Sequence, residues 1–126
     1  MCNKFFVCDH CGNLIELIHD AGASVTCCGQ KMKRLEPGVI DASREKHLPV
    51  ISVDGSTVRV NVGSAAHPMT EEHGIRWVCL GTDKGTHRKC LEIGKAPTVT
   101  FGLFDESPVE VYAYCNLHGL WKASIG

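Results

Sequence analysis

The chain has 126 residues, of which 44% are hydrophobic and 21% charged, and its formal net charge is −1. That length suits one ordinary domain or a tiny one beside a small one, and the composition is that of a folded globular chain. Balanced, scattered charge argues against a nucleic-acid surface, and no apolar run is long enough for a signal peptide or a bilayer span, so a cytoplasmic location without a membrane partner is expected.

The first 36 residues mix short strand and turn signals with five of the eight cysteines, Cys2, Cys8, Cys11, Cys27 and Cys28. A segment below ~40 residues seldom buries enough apolar surface to fold alone, so a covalent or metal staple is expected there. Four disulfides are one arithmetic solution. They fit poorly, because a bridge between the adjacent Cys27 and Cys28 is strained and the cytosol keeps thiols reduced. Metal ligation is the better account. In Cys8-Asp9-His10-Cys11-Gly12 the CxxC spacing turns both sulfurs to one point, and Gly12 supplies the positive φ behind them. Cys27-Cys28-Gly29 completes a four-thiolate set for tetrahedral Fe or Zn. Adjacent ligands should spread or compress some of the angles at the ion. His10 is expected to be a solvated loop residue.

Composition shifts at Glu36-Pro37-Gly38, and the proposed domains are 1–37 and 38–126. The later segment carries β-rich runs: LPVISV (48–53), TVRVNV (57–62), IRWVCL (75–80), TVTFGLF (98–104) and VEVYAYC (109–115). Val58, Val60 and Val62 alternate with polar residues and give one apolar face. Asp54-Gly55 is a hairpin signal, and GTDKGTH (81–87) reads as a turn. No ten-residue stretch has a helical period. Short strands at this spacing predict a mostly β fold, a β-sandwich over roughly 38–126.

Seven histidines are present. His10, His19 and His87 have no ligand-type neighbours and read as loop or strand-end residues. His47 (EKHLP), His67 (AHPM), His73 (EEHG) and His118 (YCNLHG) border predicted strands, where a sandwich can gather side chains at one end. Cys115 stands three residues before His118. Four imidazoles with one thiolate suit Fe, Zn, Cu or Ni. Five donors are one too many for a closed tetrahedral zinc site, and if the imidazoles lie in a plane with the sulfur along the axis, the opposite position is open for chemistry.

CDHCGN…TCCG, EKHLP, HPM…EEH and YCNLHG, in this order, resemble desulfoferrodoxin, the two-iron-centre form of superoxide reductase. The resemblance spans essentially the whole chain. It implies a desulforedoxin-like N-terminal domain with Fe bound by Cys8, Cys11, Cys27 and Cys28. It implies an immunoglobulin-like β-sandwich whose catalytic Fe is held by His47, His67, His73, His118 and Cys115. The implied reaction is one-electron reduction of superoxide to hydrogen peroxide, with a rubredoxin-like external donor restoring Fe(II). Glu45 and Lys46 match the family's Glu-Lys pair. Glu45 is then the carboxylate that takes the sixth position of ferric iron, and Lys46 the cation that draws in superoxide. The first centre could carry electrons or be purely structural, and Zn could replace Fe there.

Two other readings compete: a zinc-ribbon module fused to a partner-binding sandwich, and a two-iron electron-transfer protein without catalysis. A homodimer is expected, since association would cover surface the small domain cannot bury alone. Cys2 reads as a free thiol near a loose terminus and Cys79 as a small buried apolar group. Cys90 is left open.

Overall fold

The computed structural model describes residues 4–39, 47–63 and 67–125. Among them all regular structure is strand and none is helix. The chain divides into two compact units, Met1–Glu36 and Pro37–Gly126.

The first unit holds β1 (Lys4–Val7), β2 (Leu14–Leu17), β3 (Thr26–Cys27), β4 (Gln30–Lys31) and β5 (Lys33–Arg34). β2, β1 and β5 form one small antiparallel sheet, and β3 pairs with β4. Its buried apolar side chains are Phe5, Cys8 and Met32, whereas Ile18 is 95% exposed. Burial of a large apolar side chain contributes roughly 1.5–3 kcal/mol, so this interior is thin and the cysteine cluster must supply the rest. The loop after β2 is pinned by the Lys4–Asp20 ion pair at 2.7 Å.

The second unit holds β6 (Pro49–Asp54), β7 (Thr57–Val62), β8 (Ile75–Thr82), β9 (Thr86–Cys90), β10 (Thr98–Gly102), β11 (Pro108–Cys115) and β12 (Gly119–Ser124). They form two antiparallel sheets, ordered β10-β7-β6 and β12-β11-β8-β9. Seven strands in two packed sheets make an immunoglobulin-like sandwich in which the fourth strand, β9, pairs with the third, β8, instead of joining the sheet of β6 and β7. One core joins the sheets. Val58, Val60, Val62 and Phe101 enter from the first, and Ile75, Val78, Leu80, Val111, Ala113 and Cys115 from the second. The alternation in TVRVNV therefore points inward as expected.

Asp54 pairs with Thr57 across a two-residue loop in which Gly55 has φ of 58°, as the hairpin signal predicts. Two strands have no sequence forecast. β9, whose first two residues lie in the stretch read as a turn, reads THRKC and is largely exposed, so it lacks an apolar alternation. It forms by pairing along β8, from Trp77↔Cys90 to Gly81↔Thr86. β12 is defined by six pairs with β11. Conversely, the run expected to extend to Phe104 stops at Gly102, and Phe104 is 93% exposed. Cys79 is fully buried, as anticipated, and pairs with Tyr112 across β8 and β11.

The β8–β9 turn is braced by Glu106. Its carboxylate accepts from the Thr82 hydroxyl at 2.6 Å and lies 3.1 Å from His87 Nε2. His87 is thus a strand residue with a carboxylate partner. The Thr82 hydrogen bond, then that of His87, holds the Glu106 carboxyl below its ordinary value. A depressed carboxyl stabilises the fold above its unfolded pKa, and that contribution disappears as pH falls through the folded value. Glu106→Gln should therefore lower the melting temperature at neutral pH. The gap to wild type should narrow on acidification below about pH 4, as melting curves across pH would show.

Candidate metal centres

The Cys8, Cys11, Cys27 and Cys28 sulfurs all lie within 4.8 Å of one another. Cys11 and Cys27 Sγ are 3.6 Å apart, and Cys27 and Cys28 Sγ 3.9 Å. A disulfide would need about 2.0 Å. Four sulfurs each about 2.3 Å from one ion lie about 3.8 Å apart in a regular tetrahedron, so the cluster has the size of a metal site.

Backbone conformation produces the convergence. Gly12 and Gly29 have φ of 82° and 75°, as both Cys-Gly steps require. Cys28, a non-glycine residue, has φ of 52°. In extended chain, neighbouring side chains point to opposite faces, and a left-handed residue breaks that alternation so that Cys27 and Cys28 face one point. N–H groups surround the sulfurs. Cys11 N–H donates to Cys8 Sγ at 3.5 Å, Asn13 N–H to Cys11 Sγ at 3.5 Å and Asn13 Nδ2 to Cys27 Sγ at 3.7 Å. The Cys11 N–H, ahead of the other contacts, draws the Cys8 thiol down to about 6, while the Cys11 and Cys27 thiols push Cys28 up to about 12. Four thiolates repel one another at this spacing, and a cation among them removes the conflict.

The second cluster comprises His47, His67, His73, Cys115 and His118, with one ligand-type atom of each within 4.8 Å of the others. Register brings them to one end of the sandwich. His47 precedes the start of β6, and that start pairs with the end of β7 at Pro49↔Val62, shortly before His67. Ile75, two residues after His73, pairs with Cys115. Cys115 ends β11, a three-residue loop follows, and Gly119 opens β12 at φ of 81°. A three-residue hairpin closed by a left-handed glycine folds His118 back over Cys115, with Sγ and Nδ1 3.8 Å apart. The β11–β8 register shifts between Tyr114 and Cys115, an irregularity of the kind that re-aims a side chain.

Ring contacts run His47–His67 (4.7 Å), His67–His73 (4.7 Å), His73–His118 (5.0 Å) and His118–His47 (4.8 Å), closing a cycle of four imidazoles. His47 Nε2 and His118 Nδ1 are 3.1 Å apart. Nitrogens in neighbouring positions of a square plane with bonds of ~2.1 Å would be about 3.0 Å apart, so the spacing fits one metal ion. The Pro68 carbonyl can only accept, so His67 Nδ1 donates its proton there at 2.8 Å. That tautomer leaves the Nε2 lone pair for a metal. Cys115, His47 and His67 are 0%, 1% and 3% exposed, whereas His118 is exposed. The donor set therefore grades from the core to solvent. Burial, then the Cys115 sulfur, pushes the neighbouring Tyr114 phenol above its ordinary value.

All nine cysteines and histidines expected as ligands are thus in the two clusters. His10 and His19 are exposed and in neither. Cys90 is exposed at the end of β9. Cys2, Glu45 and Lys46 lie outside the described residues.

Two supporting residues had no sequence forecast. Asn116 accepts the Gly74 N–H at 2.9 Å and donates to the Glu72 carbonyl at 2.8 Å, gripping the chain on both sides of His73. Trp121 stacks on His47, with ring centroids 4.6 Å apart and planes at 12°. The NxH spacing and the single Trp in β12 are the signals, but neither residue type has metal-ligand chemistry to draw notice.

Two family comparisons match: desulfoferrodoxin over residues 39–124 and the desulfoferrodoxin N-terminal domain over residues 2–35. The chain belongs to the desulfoferrodoxin family. It is 42% identical to the desulfoferrodoxin of Nitratidesulfovibrio vulgaris over 120 residues, 95% of this chain and 94% of that one. The superoxide reductase structure from Treponema pallidum matches with a TM-score of 0.83 at 42% identity, covering 96% of this chain and 97% of that one. A one-iron superoxide reductase from Giardia intestinalis matches with a TM-score of 0.56 at 30% identity, covering 65% of this chain and 98% of its own. The resemblance carried by the cysteine and histidine motifs is therefore a family relationship across the desulfoferrodoxin chain.

Asn116→Ala should free the His73 segment. Support residues of this kind are worth about 10–100-fold in metal affinity. Chelator competition monitored at the second cluster should show a loss of that size, with the N-terminal cluster unaffected.

Proposed function

We infer that this desulfoferrodoxin-family chain is a superoxide reductase, joining superoxide, one electron and two protons to give hydrogen peroxide. The carrying observation is the convergence of four imidazoles and the Cys115 thiol within 4.8 Å, with His118 at the exposed side. The Giardia relative, named as a one-iron superoxide reductase, aligns over nearly all of its own length with part of this chain, which supports catalysis at a single centre. Iron held by this set would supply a one-electron couple and, with five protein donors, a remaining position for substrate.

The residues divide the work by burial. Cys115, inside the apolar core, gives up its proton on metal binding and places an anionic sulfur on the inner side. His67 donates from Nδ1 to Pro68 and so presents Nε2. His118, being exposed, leaves the set reachable by a small anion and by the water that delivers two protons. We assign Lys46 the role of drawing in superoxide and Glu45 that of the carboxylate returning to the site after turnover. Both adjoin His47 in sequence. The electron comes from outside, and a rubredoxin-like one-electron donor fits that need.

The first unit, which we take as residues 1–37, is proposed to hold Fe through Cys8, Cys11, Cys27 and Cys28, with Zn able to substitute. Four thiolates satisfy a tetrahedral ion, so this site conducts electrons or braces the unit rather than binding substrate. The thin interior of that unit and the fully exposed side of Ile18 support a homodimer. No helix among the described residues is long and apolar enough to cross a membrane. The thiol-rich chain suits the reducing cytoplasm.

Exchanging one ligand in each cluster tests this division. Cys115→Ser should abolish the sulfur-to-iron absorption of the second centre and superoxide reduction, while leaving the first centre's spectrum intact. Cys28→Ser should do the reverse. Wild-type turnover by Cys115→Ser would overturn the assignment.

The cation is tested separately. At an illustrative ~6 Å, one charge attracts superoxide by about 0.7 kcal/mol in bulk water and ~3 kcal/mol at an effective dielectric of about 20. Lys46→Ala should therefore slow the bimolecular step roughly threefold to a hundredfold and flatten its salt dependence. Lys46→Arg should keep most of the rate. Pulse radiolysis across ionic strength is the measurement, and an unchanged rate and salt slope would make Lys46 a bystander.

A further inference from the structure

Trp121 touches two of the four imidazole residues in different ways. Its indole lies almost parallel to the His47 ring, with centroids 4.6 Å apart and planes at 12°. Its Nε1–H donates to the backbone carbonyl of His118 at 3.2 Å. The ring nitrogens of these same two histidines, His47 Nε2 and His118 Nδ1, approach to 3.1 Å. One indole thus bears on both members of a neighbouring pair that lie 71 positions apart in the sequence.

The indole is itself seated. A Cβ built on Gly38 would fall 2.7 Å from both Cε3 and Cζ3 of Trp121, well inside contact distance. Gly38 cannot easily withdraw. Its N–H donates to the Leu120 carbonyl at 2.9 Å, and its own carbonyl accepts from Lys122 N–H at 2.9 Å, so the chain is bonded to the residues on either side of Trp121. Absence of a side chain at position 38 is therefore what lets the indole lie where it does.

We propose that Trp121, seated on Gly38, is a positioning residue that sets the ring plane of His47 and the turn carrying His118, and through them the electronic state of the second metal centre. This rests on the reading of that cluster as an iron site. An imidazole ligand turns about its bond to the ion unless something outside the bond holds the ring plane, and partners of this kind tune both affinity and potential. A face-to-face indole resists that turn for His47. The Nε1–H bond resists displacement of the His118 backbone.

Three variants of the iron-loaded chain separate positioning from bulk support. Trp121→Leu removes both the flat face and the N–H, and should lower iron affinity at the second centre about 10–100-fold in chelator competition. It should also shift the sulfur-to-iron absorption and the anisotropy of the ferric paramagnetic signal. Trp121→Phe keeps a stacking face without the N–H, and should recover most of the affinity while leaving part of the spectral shift. Gly38→Ala keeps the indole but pushes it, and should move the same spectral features. A merely structural role predicts that melting temperature falls while the spectra of the iron-bound fraction stay as in wild type in all three variants, and that result would overturn the proposal. Should Trp121→Leu not fold, Trp121→Phe and Gly38→Ala decide by the same spectra. Superoxide reduction by the wild-type chain tests the functional reading independently, since the spectral comparison needs bound iron but no turnover.

Discussion

Cys115 is paired on both sides, with Ile75 of β8 and Gly119 of β12, and the arrangement at that end of the sandwich depends on this register. Side chains on a strand alternate faces, so a slip of one residue would turn the sulfur away from the core side. The same pairings bring the start of β8, and with it His73, beside the β11–β12 turn that carries His118. The apolar core enforces them. Val78 and Leu80 of β8 and Val111 and Ala113 of β11 are fully buried, and a slip would expose all four. Hydrophobic burial, worth roughly 25 cal/mol per Å², thereby acts on ligand geometry without any apolar residue touching an ion.

The two units reach order by different means. In the second, a continuous core holds the strands and the cluster of four histidines and Cys115 is gathered at its end. In the first, few side chains are buried, and backbone conformation does the gathering: left-handed residues at Gly12, Cys28 and Gly29 and N–H donors around the sulfurs. Adjacent cysteines reach one point only because Cys28 accepts a conformation that costs of order 1–3 kcal/mol for a residue with a Cβ. Repulsion among thiolates would add to that cost, and a bound cation would offset both.

Exposure organises the second cluster as much as distance does. Its sulfur is buried with valines and leucines, while an imidazole faces solvent. A thiolate kept from water donates strongly, and a solvent-facing side admits a small anion and protons. Trp121 and Asn116 are half-buried beside the cluster, one stacked on the His47 ring and the other bonded to the chain on both sides of His73. Neither has a titrating group, so neither adds charge to the cluster.

Residue type and local spacing singled out the candidate metal-binding cysteines and histidines, and the family resemblance divided them into the two sets that cluster in space. CxxC-Gly, Cys-Cys-Gly and the YCNLHG run were legible because metal chemistry restricts which side chains serve and because a turn's glycine is a local requirement. Val58, Val60 and Val62 were legible for a similar reason, since strand alternation is a property of the chain itself. β9 was not, because THRKC has no apolar pattern and exists as a strand only through the edge that β8 offers. Cycle order among the four histidines, the full burial of Cys115, the stack of Trp121 on His47 and the need for glycine at position 38 were likewise decided by tertiary structure. Each depends on residues tens of positions apart being brought within a few ångströms, and the pairing register that does so is set by cooperative packing of two sheets, which no local window contains.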